Sequence, residues 1–276
     1  MRLVITRPAG DAASWVSALE ASGHEALVLP LIDIAPVANA QAVQQAWAHW
    51  SHWHAVMFVS AQAVRMFFAH RPAANLSDRL PRCWATGPGT RKALLNASVP
   101  AECIDSPPES EAQFDSEALW HVVASQVQAL NLSEQGVASF GASAKPAVLI
   151  VRGSDEDTAP EQAQRGSGRD WLTQQLQAAG VTVTSVAAYA RSAPVWSPLQ
   201  REQAQQAVTD GSVWCFSSSQ AVTHLQQLLP GQNWASARCI ATHTRIAQTA
   251  EALGFGEVHT ARPLVADVVA SLESLA

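Results

Sequence analysis

Val56-Met57-Phe58-Val59-Ser60-Ala61-Gln62-Ala63-Val64 is answered late in the chain by Val213-Trp214-Cys215-Phe216-Ser217-Ser218-Ser219-Gln220-Ala221-Val222, with Ser60 matching Ser218 and Gln62 matching Gln220. Each copy reads as a short apolar strand, a serine-bearing turn and the start of a helix. A second match follows each copy. Trp84-Ala85-Thr86-Gly87-Pro88-Gly89-Thr90-Arg91 is set against Arg238-Cys239-Ile240-Ala241-Thr242-His243-Thr244-Arg245, which puts Thr90-Arg91 opposite Thr244-Arg245. Both halves thus carry strand, Ser turn, helix, strand, Thr turn, helix, and two similar domains are expected.

The same alternation extends along the chain. Strands are predicted over 2–6, 25–30, 54–59, 82–86, 100–103, 147–151, 181–187, 212–216, 237–241 and 256–259. Helices are predicted over 11–22, 41–50, 61–70, 88–96, 115–130, 169–179, 198–209, 219–229, 243–253 and 264–275. Alternating strands and helices are the pattern of parallel α/β layers. Gly23, Gly180 and Gly254 stand just past predicted helix ends, where a left-handed residue stops a helix at little cost. Loops are expected at 104–114, 131–146 and 153–168, which are rich in Ser, Pro, Gly, Ala, Glu or Gln.

Composition narrows the function. A chain of 276 residues, 48% apolar and 14% charged, fills substantial cores and suits two domains. No apolar run reaches the ~18 residues of a membrane span, and Met1 to Pro8 is too short an apolar opening for a signal peptide, so a soluble cytoplasmic protein is expected. A net charge of −6 argues against nucleic acid as a partner. Cys83, Cys103, Cys215 and Cys239 lack paired zinc spacing and read as free thiols, three of them in apolar strands. His49, His52 and His54 among Trp47, Trp50 and Trp53 read as a half-buried helix face rather than a metal site. No metal and no cofactor are expected.

The chain holds no Gly-x-Gly-x-x-Gly, no phosphate-loop Lys-Ser/Thr, no Gly-x-Ser-x-Gly and no metal-binding His pair. What recurs is a hydroxyl where a strand hands over to a helix: Thr6, Ser60, Thr90, Ser218 and Thr244. In parallel α/β folds ligands bind beyond the carboxyl ends of the strands, where helix N-termini offer N–H groups to anions. Each hydroxyl taken alone reads first as an ordinary helix cap. Arg7, Arg65, Arg91, Arg152 and Arg245 also follow predicted strand ends, and a guanidinium suits carboxylate recognition, although a lone one is often a solvated charge. Tyr189, the only tyrosine, follows a predicted strand and is either a proton or hydrogen-bond donor to a ligand or a packing residue at a domain junction. Gly87 and Gly153 read as requirements of tight turns, with close ligand approach as the alternative.

Ile5-Thr6-Arg7-Pro8, Leu29-Pro30-Leu31-Ile32, Phe58 to Val64, Gly87-Pro88-Gly89-Thr90, Phe114 to Leu119, Val148 to Gly153, Val186 to Arg191, Phe216 to Val222 and Ala241 to Thr244 resemble, in order, the motifs of uroporphyrinogen-III synthases. The resemblance spans the whole chain. Departures are Val59 for the usual Thr, Ala241-Thr242 for Gly-Pro, and a lengthened loop after Arg152-Gly153. It implies two similar parallel-sheet α/β/α domains, flavodoxin-like in form, joined by a two-segment hinge. The first would comprise 1–34 and 192–276, the second 36–188, with 34–36 and 188–192 as hinge segments around a shared cleft. Pro30, Pro36 and Pro194 would stiffen the crossings.

The implied activity is ring closure of hydroxymethylbilane, a linear octacarboxylate tetrapyrrole, to uroporphyrinogen III with inversion of the last ring through a spiro intermediate. The implied catalytic residue is Tyr189, and the implied substrate-binding residues are Thr6, Arg7, Ser60, Ala61, Gly87, Thr90, Arg152, Gly153, Ser218, Ser219 and Thr244. A monomeric enzyme that closes around its substrate and touches hydroxymethylbilane synthase transiently is the expected form. The rival reading is a non-catalytic two-lobed module that binds a tetrapyrrole or another polyanion; a nucleotide-dependent oxidoreductase loses ground for want of the glycine fingerprint.

Overall fold

A computed structural model describes residues 1–73, 80–111, 113–135, 145–155 and 171–275. The chain forms two compact units, Met1–Ile34 with Ser192–Ala276 (unit 1) and Ala35–Arg191 (unit 2).

Unit 1 is a five-stranded sheet built from β1 (Arg2–Ile5), β2 (Glu25–Val28), β9 (Val213–Phe216), β10 (Arg238–Ala241) and β11 (Glu257–Thr260), in the order β11-β10-β9-β1-β2 and parallel throughout. Alternate residues of these strands enter opposite cores, as a sheet covered on both faces requires. Leu3, Ile5, Val213, Cys215 and Ile240 pack with Trp15 and Leu19 of α1 (Ala9–Ala21) and with Val268 and Leu272 of α10 (Val265–Glu273). Val4, Trp214, Phe216, Cys239 and Ala241 face the other way. They meet Ala204 of α7 (Pro198–Gln206), Leu225 of α8 (Ser219–Leu228) and Ile246 of α9 (Thr244–Leu253). Helix α7 starts on a capping box in which Ser197 and Gln200 each satisfy the other's backbone N–H.

Unit 2 is a six-stranded sheet of order β3-β8-β7-β4-β5-β6, with β3 (Asp33–Pro36), β4 (Ala55–Phe58), β5 (Arg82–Ala85), β6 (Ile104–Asp105), β7 (Ala147–Asp155) and β8 (Thr182–Ser192). Strands β8, β7, β4, β5 and β6 run parallel in the same spatial order as β2, β1, β9, β10 and β11 of unit 1. One face packs Met57, Trp84, Val148 and Ile150 against α5 (Ser116–Gln135) and α6 (Trp171–Ala178). Opposite it, Phe58 meets Phe67 of α3 (Ala61–Phe68), which stacks on Trp47 of α2 (Gln41–Ala48). The remaining helix, α4 (Pro88–Asn96), lies beside α3.

Several expectations change. The strand expected at 100–103 is a single 3-10 turn at Ala101–Cys103 that opens on Pro100, and pairing begins only at Ile104. Strand β3 was not expected; it is a short edge strand ending in a proline, the position where a missing N–H costs no ladder bond. The expected loops are shorter: 104–105 is strand, 131–135 continues α5, and 153–155 continues β7, while 136–144 and 156–168 lie outside the described residues. Gly23, Gly180 and Gly254 do adopt positive φ, at 75°, 81° and 101°.

The tryptophan and histidine stretch is helix to Ala48 and then a 3-10 turn, with Trp47 and Trp50 buried. Among the described residues no group of three or more His, Cys, Asp or Glu could hold a metal ion. No described helix is long and apolar enough to cross a membrane. Cys83, Cys215 and Cys239 are buried free thiols and Cys103 is half-buried. Burial pushes the thiols of Cys83 and Cys239 up to about 12 and that of Cys215 to about 11.

Candidate functional site

In unit 2 the carboxyl ends of β4, β5, β7 and β8 bring together much of the expected site. Ser60 is extended at the foot of α3 and its Oγ accepts the Ala63 N–H at 3.1 Å, an N-cap. The same Oγ lies 3.1 Å from the Tyr189 hydroxyl. Tyr189 does not follow its strand but sits inside β8, only 4% exposed. Its placement depends on a bulge: Arg152 pairs with Ala187 and Gly153 with Tyr189, so Ala188 is the extra residue. Such a bulge re-aims the side chains beyond it. Ser154 Oγ donates to the Tyr189 carbonyl at 3.4 Å, holding the re-aimed segment to β7.

The two glycines turn out differently from the turn reading. Gly153 lies within β7, and a Cβ there would come within 2.7 Å of Cε2 and Cζ of Tyr189. Gly87 caps α4 in extended backbone at φ −177°, and a Cβ there would stand 3.0 Å from the Phe114 Cβ. Gly153 leaves no room for a Cβ beside the Tyr189 ring, whereas at Gly87 a Cβ would press on Phe114, and neither glycine has a left-handed backbone. Thr90 is the third residue of α4 and is buried; its Oγ1 lies 3.5 Å from that of Thr86, which donates to the Val59 carbonyl at 3.2 Å. Ala61 opens α3, half-buried, and Arg152 is buried at the end of the paired run.

Unit 1 uses its edge otherwise. Thr6 is 1% exposed and donates to the Cys215 carbonyl at 2.6 Å, so its hydroxyl ties β1 to β9 and caps nothing. Arg7 carries its guanidinium carbon 4.3 Å above the Trp15 ring. Burial lowers its pKa from the ordinary value, opposed by the nearby Cys215 and Asp11. Ser218 stands at the foot of α8 in the place of Ser60 but makes no side-chain cap bond. Ser219 Oγ is buried and finds no partner among the described residues. The cap of α9 is His243, whose Nδ1 accepts the Arg245 N–H at 3.1 Å; Thr244 is the first helical residue and exposed. Of the five arginines, Arg65 and Arg245 are exposed and Arg91 is half-buried on α4.

These caps re-register the second repeat. Strands β5 and β10 align Arg82-Cys83-Trp84-Ala85-Thr86 with Arg238-Cys239-Ile240-Ala241-Thr242, which puts cap Gly87 opposite cap His243 and Thr90 opposite Ile246. The pairing of Thr90 with Thr244 is therefore displaced by two residues, and Ala241 matches Ala85 rather than Gly87. The shared Arg-Cys-x-Ala-Thr was the available signal. Register supplies a further equivalence: Leu3 faces Val213 as Val148 faces Ala55, so Arg7 and Arg152 take corresponding places, Arg7 just past β1 and Arg152 inside β7, with Thr6 opposite Val151. The Ser60 to Tyr189 contact, the bulge and the Trp15 platform left no mark in the sequence reading.

Parallel α/β units that gather hydroxyl and guanidinium groups beyond their strand ends form the class of α/β proteins that hold a ligand at that edge. Within that class, a model of the family described as uroporphyrinogen-III synthase HemD matches residues 13–270. The chain belongs to the uroporphyrinogen-III synthase family, enzymes of tetrapyrrole biosynthesis. No curated protein matches it by sequence. Among solved structures it is similar to a mutant uroporphyrinogen III synthase from Thermus thermophilus, at 12% identity and TM-score 0.56 over 100% of this chain and 98% of that one. It is also similar to the uroporphyrinogen-III synthetase from Helicobacter pylori, at 13% identity and TM-score 0.57 over 100% of both chains. At such identities these two likenesses speak for the fold.

Proposed function

We propose that the chain is a cyclising hydro-lyase that converts hydroxymethylbilane to uroporphyrinogen III, inverting the last ring through a spiro intermediate. The observation that carries this reading is the single phenol held at the carboxyl edge of unit 2 by Ser60, beside the glycine of Arg152-Gly153. The substrate is already activated. Its pyrrole nitrogen pushes out the terminal hydroxyl to leave an azafulvene cation. Tyr189 gives that hydroxyl a proton, and the pair leaves as water. The cation attacks the substituted carbon of the last ring, and the spiro centre fragments and recloses. The carbon that forms the final bond then loses a proton, which returns to the phenolate.

The remaining work is positioning, which can supply several kcal/mol without a nucleophile. Arg7 and Arg152, at corresponding places of the two sheets, suit carboxylates of the substrate, as do the helix N-termini at Ala61, Gly87, Ser218 and Ser219. Thr6 and Thr90 support this edge from within, since their hydroxyls are buried and face the protein. We place the enzyme in the cytoplasm as a monomer that meets hydroxymethylbilane synthase only in passing.

Freshly generated hydroxymethylbilane, incubated with the protein and resolved into type I and type III isomers, tests the assignment. Type III product in excess is expected; type I alone would leave a non-catalytic tetrapyrrole-binding module. Tyr189→Phe should slow turnover by about a hundredfold or more, the range for a lost general acid, without abolishing it. Unchanged kcat would remove the phenol from the reaction.

A further inference from the structure

A phenol can help a hydroxide depart only if its proton faces the substrate rather than the protein. Ser60 decides this. Its Oγ already accepts the Ala63 N–H, which uses one lone pair and leaves one proton to give. A phenol that donated to this serine would spend its proton inside the fold. A serine that donates to the phenol leaves the phenol's proton available on its other side. A free phenol is the stronger donor of the two, so the substrate sets the direction: once the leaving hydroxyl takes up the phenol's proton, the proton left to join the pair is the serine's. Geometry fixes the remaining freedom. The bulge at Ala188 sets Tyr189 opposite Gly153, and the ring occupies the space a Cβ at 153 would need, with its Oη 3.1 Å from Ser60 Oγ.

We infer that Ser60 and Gly153 are positioning residues for Tyr189 rather than contacts of the substrate. Gly153 seats the ring. Ser60, oriented by the cap of α3, donates to the phenol oxygen, so that the Tyr189 proton points outward and the phenolate left behind is stabilised. The inference rests on the role proposed above for Tyr189, and it turns a helix cap into the fixed end of a directed chain, Ala63 N–H to Ser60 O–H to Tyr189 O–H.

The chain contains one tyrosine, so biosynthetic 3-fluorotyrosine places a reporter at Tyr189 and nowhere else. In the full-length protein, Ser60→Ala and Ser60→Asp should move that fluorine resonance, and Ser60→Thr should leave it near the native position. Ser60→Asp is the decisive variant. A carboxylate caps a helix as well as serine does but has no proton to donate. It should fold normally, keep KM within about twofold and lower kcat by about tenfold, a part of the roughly hundredfold or more that losing the acid itself costs. In a Tyr189→Phe background neither Ser60→Ala nor Ser60→Asp should slow turnover further.

Native kcat in Ser60→Asp, an unmoved fluorine resonance in Ser60→Ala, or Ser60 effects that multiply with Tyr189→Phe would each overturn the positioning role while leaving the phenol in the reaction. Native kcat in Tyr189→Phe would overturn the role of Tyr189 and this inference together.

Discussion

The two units share five strands in one spatial order and use the same edge of the sheet in contrasting ways. In unit 2 the edge carries a hydroxyl relay: Ser60 caps α3 and meets a phenol, and Gly153 yields space to the ring. In unit 1 the matching serine caps nothing, the matching glycine is Pro8, and Thr6 spends its hydroxyl on the neighbouring strand. Arginine is common to both, as Arg7 and Arg152. The shared residue suits an anion and the unshared ones suit proton chemistry. The two edges thus share an arginine and differ in their hydroxyls, the phenol standing at that of unit 2.

The contrast can be tested by exchanging its elements. Gly153→Ala should be the most damaging, since the new Cβ meets the ring at 2.7 Å. A loss of about 1–3 kcal/mol is expected from overpacking, read as a lower denaturant midpoint, together with reduced kcat. In a Tyr189→Ala background most of the stability loss should vanish, and its persistence would show that the ring is not what the glycine serves. Ser60→Ala should cost about 1 kcal/mol for the lost cap, whereas Ser218→Ala should stay within about 0.5 kcal/mol. Equal costs would erase the distinction between the two turns.

Thr6→Val should be milder than the Gly153 change, because unit 2 already carries Val151 at the corresponding place. It should lose about 1 kcal/mol for the missing hydrogen bond and keep native kcat and KM; a raised KM would return the hydroxyl to the substrate. A further effect is alkaline. The folded thiols of Cys83, Cys215 and Cys239 hold their protons to about 12, 11 and 12, against 9.0 when free. Above pH 9 the unfolded chain thus binds fewer protons than the native one, so stability falls as pH rises toward those values. Unit 1 holds two of these thiols and unit 2 one, so a melting profile that separates the units should show unit 1 shifting more between pH 8.5 and 10.

Local pattern carried the fold a long way. Helix α4 begins at Pro88 and ends at Asn96 as its proline and apolar spacing predict, and the doubled Phe-x-Ser motif marks β4 and β9. What escaped was set by distant partners. Strand β3 is four residues with one proline, and only its place beside β8 makes it a strand. Ser60 announced itself as a turn, but the hydroxyl it meets lies 129 positions along the chain, beyond a bulge that no periodicity foretells. The threonine repeat was read two residues out because Thr-Arg recurs close to the true match, and only the strand ends settle the register.

Strand β1 lies between β9 and β2 at the interior of its sheet, though β9 is made some two hundred residues later, at Val213–Phe216. During synthesis β1, α1 and β2 emerge well before β9, so β1 can pair with β2 while its β9-facing edge stays open. Unit 2 emerges next as one continuous segment and can fold while the ribosome is still working. The nascent chain then carries the unpaired edge of Arg2-Leu3-Val4-Ile5 until β9 is made and the sheet can be completed. The sheet of unit 1 is thus begun before unit 2 is made and can be completed only after it.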